Sequence, residues 1–216
     1  MTTSPRPAWT VVIPVKGGPR AKSRLVAQES WNRQELSRAL ALDTVAAAVA
    51  SGVGPVLVVT ADPLVADAVT DIGAEVADDP GGGLNAAARA GVAVAAGRHP
   101  HSAVAVLLGD LPALTAAELT AALTACADHE AAFVPDRSGQ GTVLVTTAPG
   151  RPVACSFGPG SAQRHATSAF ELALDLPRLR TDVDDPQDLR AALRLGVGPR
   201  TAAAVADSTT GQLEAS

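Results

Sequence analysis

An α/β fold built on a mostly parallel sheet is what the sequence predicts, and two patterns carry that expectation. Strand-like apolar runs alternate with segments of helical spacing, the signature of successive βαβ units. The runs are continuous Val/Leu/Ala stretches, as in strands covered by helices on both faces, without the apolar–polar alternation of a half-exposed sheet.

The first strand is WTVVIPV (9–15). Asn32 to Ser51 follows at helical spacing, with Asn32 and Glu35 placed as in a capping box. PVLVVT (55–60) is a strand, Pro63 to Ile72 a helix, AEVAD (74–78) a strand and Leu84 to Ala96 a helix. SAVAVLLG (102–109) is the most apolar strand, and Thr115 to Ala127 is a helix whose Thr115 and Glu118 again have capping-box spacing. From 131 the rhythm changes. AAFVPD and TVLVTT read as two strands joined by the turn-like RSGQG, and residues from about 131 to 165 are expected to be an insertion that caps the sheet and supplies an acceptor site. The tail from about Gly198 is Ala-rich and helical before fraying over residues 208–216. The chain, 1–216, is expected to form one domain, and no internal repeat is visible.

Composition removes several function classes. The 47% hydrophobic content is dominated by Ala, Val and Leu, the net charge is −5 and there is no Tyr, so both the electrostatic attraction and the stacking platforms of a nucleic-acid binder are missing. Cys126 and Cys155 stand alone, outside any C-x-x-C or metal-finger spacing, and read as ordinary reduced cysteines. The N-terminus has no apolar leader core and no apolar stretch reaches membrane-spanning length, so a soluble cytoplasmic protein is expected.

Residues 14–25, PVKGGPRAKSRL, invite comparison with a phosphate-binding P-loop, but Lys16 and Ala21 stand where that pattern needs glycine. What remains is a loop with four cations, Lys16, Arg20, Lys22 and Arg24, directly after a strand. Such loops are usually just solvated. Asp110 follows the most apolar run, at the carboxyl end of a central strand where open α/β sheets bind ligands; the alternative is that it caps a turn before Pro112. In Asp182-Val183-Asp184-Asp185-Pro186, Asp182 and Asp184 share one face of an extended segment. With Asp110 they would make a hard oxygen site suited to Mg²⁺, its other ligands being waters and phosphate oxygens. Asp184 or Asp185 also suits the N-cap of the helix PQDLRAAL.

A triphosphate held between the cationic loop and Mg²⁺ would give these charges a common purpose. DDPGGGLNAAARAG (78–91) adds glycines before a helix and Asn85 for ribose or base, or it is a flexible turn. FGPGSAQRH (157–165) sets Gly158, Gly160 and Ser161 at a helix start, a receptor for phosphate or carboxylate that Thr142 could face. His165 is a binding residue or a plain surface histidine, since no nucleophile partner is evident. Ser161 is not set in G-x-S-x-G, so serine-hydrolase chemistry has little support.

Taken in order over nearly the whole chain, PVKGGPRAKSRL, LLGDLPAL, DRSGQGTVLV, FGPGSAQRH and TDVDDPQDL resemble the guanylyltransferases that activate phosphoenolpyruvate or 2-phospho-L-lactate in biosynthesis of the deazaflavin coenzyme F420. The glycine-rich L-A-G-G opening of the broader sugar-phosphate and molybdenum-cofactor nucleotidyltransferases is absent, which points to the narrower family. The resemblance implies a three-layer Rossmann-like nucleotidyltransferase fold of the nucleotide-diphospho-sugar transferase type. It implies GTP and a small phosphorylated carboxylic acid as substrates, with functional coupling to the downstream transferase of that pathway. The acceptor is 2-phospholactate, 3-phosphoglycerate or phosphoenolpyruvate, and the Ala/Arg-rich, Lys-poor composition favours the last by association with relatives that use it. Carried over by motif, Asp110, Asp182 and Asp184 would hold Mg²⁺, while Thr142, Gly158 and Ser161 would hold the acceptor. Pro14, Lys16, Arg20, Lys22 and Asn85 would contact the nucleotide, with Lys22 and Asp110 as the catalytic residues. The nearest rival reading is a nucleotidyltransferase for a sugar phosphate or molybdopterin; a glycosyltransferase using D-V-D as a D-x-D metal motif, and a non-catalytic GTP-binding regulator, are the others.

Overall fold

The computed structural model describes residues 8–15 and 32–213. Seven strands, β1 (Trp9–Pro14), β2 (Val56–Thr60), β3 (Glu75–Asp78), β4 (Ala103–Leu107), β5 (Ala131–Pro135), β6 (Thr142–Thr147) and β7 (Phe170–Glu171), form one sheet in the order β3-β2-β1-β4-β6-β5-β7. The first four are parallel. Val11 of β1 stands beside Val56 on one side and Ala105 on the other. β6 runs antiparallel to both β4 and β5, and the two-residue β7 lies parallel to β5 at the sheet edge. The segment expected to cap the sheet therefore supplies two strands that widen it. All six residues of β6 are buried, as in a central strand covered on both faces.

The helices are α1 (Arg33–Ala50), α2 (Pro63–Ile72), α3 (Leu84–Arg98), α4 (Ala116–Cys126), α5 (Ser161–His165), α6 (Pro186–Leu195) and α7 (Pro199–Leu213). Strand pleating sends alternate side chains into two cores. Val11 and Ile13 pack with Ala41 and Val45 of α1, Val65 and Val69 of α2, and Leu119 and Leu123 of α4. Val12, from the opposite face, packs with Ala87, Ala88 and Ala95 of α3 and Ala162 of α5. The layers are thus helix, sheet, helix. Fully buried side chains such as Ile13 and Leu107 each contribute about 1.5–3 kcal/mol of transfer free energy. α3 lies close to the sheet because its inward face is Ala and Gly; a β-carbon on Gly91 would collide with Val12 and Val59.

Caps mark several helix starts. The Asn32 side chain accepts from the Gln34 and Glu35 N–H groups, and Thr115 Oγ1 accepts from the Glu118 N–H at 3.2 Å. The Glu118 carboxylate, however, reaches across to the Leu179 N–H at 2.8 Å, so tertiary contact takes the group that the capping-box spacing assigned to the helix end. α7 continues through Leu213, past the point at 208 where fraying was expected, and residues 214–216 lie outside the described chain.

Candidate active site

The carboxyl ends of the neighbouring parallel strands β1 and β4 meet in the middle of the seven-stranded sheet. β1 ends at Pro14, and Gly109, just beyond β4, lies so close that a β-carbon on it would sit 3.1 Å from the Pro14 carbonyl oxygen. Asp110 follows directly, as its position after the apolar run implied. The turn after it is fixed from α1: the Leu111 N–H donates to Thr44 Oγ1 at 3.0 Å, and that hydroxyl donates to the Leu40 carbonyl at 2.9 Å. The Asp110 carbonyl in turn accepts from the Val183 N–H at 3.1 Å, which brings the second acidic segment alongside.

Val183 is fully buried in a cluster with Leu36, Leu40 and Leu189, and alternation along the segment would set Asp182 and Asp184 on the side away from it. Burial, then the charges of Asp110, Asp184 and Asp136 in that order, push the Asp182 carboxyl up to about 7. Four carboxylates thus share one electrostatic neighbourhood. Among the described residues no three His, Cys, Asp or Glu side chains converge closely enough to hold an ion. Asp110, Asp182 and Asp184 thus concentrate like charge without forming a closed cage. That arrangement still suits Mg²⁺: the donors are all hard oxygens, their mutual repulsion favours a divalent cation, and Mg²⁺ commonly takes only one or two carboxylates and fills its shell with water and substrate phosphate. Asp185 does what the alternative reading assigned to it. Its carboxylate accepts from the Gln187 and Asp188 N–H groups at 2.7 and 2.9 Å, and Asp188 returns the bond to the Asp185 N–H, capping α6.

Asp136 carries no sequence-level signal beyond its place at the head of a turn. Its carboxylate accepts from Ser138 Oγ, the Gln140 N–H and the Gly141 N–H at 2.8, 3.2 and 3.0 Å, folding residues 136–141 into a tight connection from β5 to β6. Arg180 binds this connection to the acidic segment, donating to the carbonyls of Pro135, Asp136 and Leu174. On its other side the same turn presents the Gln140 carbonyl to the Ala162 N–H at 3.1 Å. One turn therefore touches both the acidic cluster and the segment around α5.

That segment is a pinned loop. Asn85, at the start of α3, accepts from the Phe157 N–H at 2.7 Å and donates to the Phe157 carbonyl at 3.1 Å. The Arg164 guanidinium donates to the carbonyls of Ser156, Gly158 and Pro159. His165 Nε2 accepts from the Ser156 N–H at 3.1 Å, and its Nδ1 lies 2.9 Å from Thr142 Oγ1. The Ser161 N–H closes back on the Gly158 carbonyl at 3.0 Å. Gly158, at φ 110°, takes a conformation that L side chains rarely adopt.

These bonds revise three expectations. Asn85 was read as a ribose or base contact, but both ends of its amide are engaged by the Phe157 backbone, which makes it a clamp on the loop. His165 is not a surface histidine; it is fully buried between Phe157 and Phe133. The helix start that was to receive an anion is only the five-residue α5, and the Ser161 and Ala162 N–H groups are already bonded. Thr142, Gly158 and Ser161 nevertheless belong to one bonded unit, Thr142 through His165 and Ser161 through Gly158, with Thr142 and Ser161 buried. Lys16, Arg20, Lys22 and Arg24 lie outside the described residues; Pro14 is the last residue of β1 before them. A cavity of about 650 Å³ opens elsewhere, beside His129, Arg151 and Phe170, and contains none of these groups. Burial pushes the Cys126 thiol up to about 11 and raises that of Cys155, consistent with inert thiols.

Residues 34–157 match the MobA-like NTP transferase domain. A phosphoenolpyruvate guanylyltransferase of Streptomyces coelicolor is 51% identical over 203 residues, covering 92% of this chain and 96% of that protein. One from Thermomonospora curvata is 49% identical over 202 residues, covering 92% and 89%. Among solved structures, a nucleotidyl transferase from Methanothermobacter superposes with a TM-score of 0.58 at 18% identity, over 87% of this chain and 97% of that one, a likeness of fold alone. The fold is accordingly of the nucleotide-diphospho-sugar transferase type.

Proposed function

Since the chain belongs to the phosphoenolpyruvate guanylyltransferases within the MobA-like NTP transferase family, we propose that its two adjoining clusters hold the two halves of one reaction, the transfer of GMP from GTP to phosphoenolpyruvate. The observation that carries this reading is the Asp136–Gly141 turn, which ties the acidic cluster to the loop of Gly158 and Ser161. Asp110, Asp182 and Asp184 would hold Mg²⁺, directly or through water, and Thr142, Gly158 and Ser161 would hold the acceptor. Lys16, Arg20 and Lys22 are assigned to the triphosphate from sequence alone.

A phosphate oxygen of phosphoenolpyruvate attacks the α-phosphorus of GTP; the new P–O bond forms as the bond to the bridging oxygen breaks, and pyrophosphate leaves with that electron pair. The attacking oxygen is already anionic at neutral pH, so no general base is required, in agreement with the lack of a Ser/His/Asp arrangement among the candidate residues. Bound Mg²⁺ supplies neutralisation of phosphate charge. The chain's own contribution is alignment: the carboxylates fix one reactant, the pinned loop fixes the other, and enclosure excludes water. We place the reaction in the cytoplasm, in the biosynthesis of coenzyme F420, with the product passed to the next transferase of that pathway. No helix among the described residues is long and apolar enough to cross a membrane.

The test is pyrophosphate release from GTP and Mg²⁺ with phosphoenolpyruvate, 2-phospholactate and 3-phosphoglycerate supplied separately, with and without the downstream transferase. Release with phosphoenolpyruvate alone is expected. Release with another acid alone would change the acceptor, and silence with all three while GTP binds would refute the reading.

A further inference from the structure

His165 has more order than a core residue needs. Its ring is fully buried, edge-on to Phe157 with centroids 5.2 Å apart and tilted against Phe133 at 6.0 Å, so its plane is fixed by packing. Both ring nitrogens have partners. The backbone N–H of Ser156 can only donate and is directed at Nε2, which assigns Nε2 as the accepting nitrogen even though the Ala154 backbone also bonds to the ring. The single proton of the neutral ring is then on Nδ1, where it is donated to Thr142 Oγ1 at 2.9 Å. Neutrality follows from burial, the largest influence, joined by the positive charge of the adjacent Arg164; a hydrogen bond to the Ala154 backbone favours the charged ring but does not outweigh them.

A threonine hydroxyl has one proton and two lone pairs. With one lone pair occupied by the His165 Nδ1–H, the hydroxyl proton is free to point away from the ring and donate elsewhere. We propose that His165 is a positioning residue for the acceptor acid, holding the Thr142 hydroxyl as a hydrogen-bond donor to an anionic oxygen of that acid. The chain of bonds runs from the Ser156 N–H through the imidazole to Thr142, so the same ring sets the loop backbone and the hydroxyl together. This rests on the assignment of Thr142 to the acceptor site.

Two substitutions separate the two ends of the ring. A glutamine carboxamide reaches where Nε2 stands and an asparagine carboxamide where Nδ1 stands. His165→Gln can keep the Ser156 contact and loses the donor to Thr142; His165→Asn keeps a donor to Thr142 and leaves the larger void. The expected result is a KM for phosphoenolpyruvate raised about tenfold in His165→Gln and less than about threefold in His165→Asn, with KM for GTP unchanged in both, the size of one neutral hydrogen bond. A residue that served packing alone would rank the other way, the smaller side chain being worse. In a Thr142→Val background, His165→Gln should add nothing further; additive effects would overturn the proposal. Nitrogen NMR of the ring in the wild-type protein should show the Nδ1–H tautomer, and the Nε2–H form would overturn it independently of any kinetics. If the tautomer is as stated but Thr142→Val leaves KM for the acceptor unchanged, the assignment of Thr142 fails and the positioning role with it. Wild-type protein silent with phosphoenolpyruvate would instead refute the function itself.

Discussion

Replacing Asn85 with alanine tests whether the glycine-bounded start of α3 serves the nucleotide or the acceptor. The side chain makes two bonds to one residue, accepting from the Phe157 N–H at 2.7 Å and donating to the Phe157 carbonyl at 3.1 Å. Each neutral bond of this kind contributes about 1 kcal/mol net, so Asn85→Ala removes about 2 kcal/mol of loop stabilisation. In a chain of 216 residues that corresponds to a fall in Tm of about 4–8 °C. If all of it were felt as a looser acceptor site, KM for phosphoenolpyruvate would rise about 30-fold, since each 1.4 kcal/mol is a factor of ten. That figure is a ceiling, because Arg164 and His165 continue to hold Ser156, Gly158 and Pro159. The assay is pyrophosphate release with one substrate saturating and the other varied, alongside thermal unfolding. A rise in KM for phosphoenolpyruvate of about 5- to 30-fold, with KM for GTP unchanged, is expected. A rise in KM for GTP with the acceptor unaffected would refute the clamp and restore the nucleotide contact suggested by sequence.

Three further outcomes follow from the same geometry. Asp110→Asn should abolish turnover while leaving Tm within about 1 °C, read by pyrophosphate release and calorimetry; unchanged turnover would remove Asp110 from the metal site. Because burial lowers the His165 pKa below its unfolded value near 6.5, the unfolded chain binds more protons under acid, and this contribution to stability is full above about pH 6.5 and lost as pH falls below it, at up to about 1.4 kcal/mol per pH unit. Asp182, raised to about 7, works in the opposite sense, so the measurement is the difference in denaturant midpoint between wild type and His165→Gln from pH 8 to 5, which should shrink as pH falls. Cys126, buried and with its thiol raised to about 11, should resist alkylation at pH 8 in the folded protein and react fully in denaturant; rapid reaction in the native state would contradict its burial.

The sequence by itself determined the alternation of strands and helices, the parallel half of the sheet and the position of Asp110, because these depend on periodicity and on short-range signals. It also determined the family, through five short motifs in a consistent order. Caps such as Asn32 and Asp185 were legible for the same reason: each bonds to backbone groups within three residues. What only the tertiary structure decided involves partners far apart in the chain. β6 enters the sheet between β4 and β5, a pairing that no local pattern encodes. Asn85 meets Phe157 across 72 residues, and Glu118 leaves its own helix end for Leu179 across 61. His165 has no distinctive sequence context, and its place between Ser156 and Thr142 arises only when α5 packs on the sheet. Nor does a sequence show that Asp136 stands within electrostatic reach of Asp182. Local spacing selects elements, but hydrogen bonds and Coulomb forces act over a few ångströms of space, and which residues come within that reach is settled by how the elements pack.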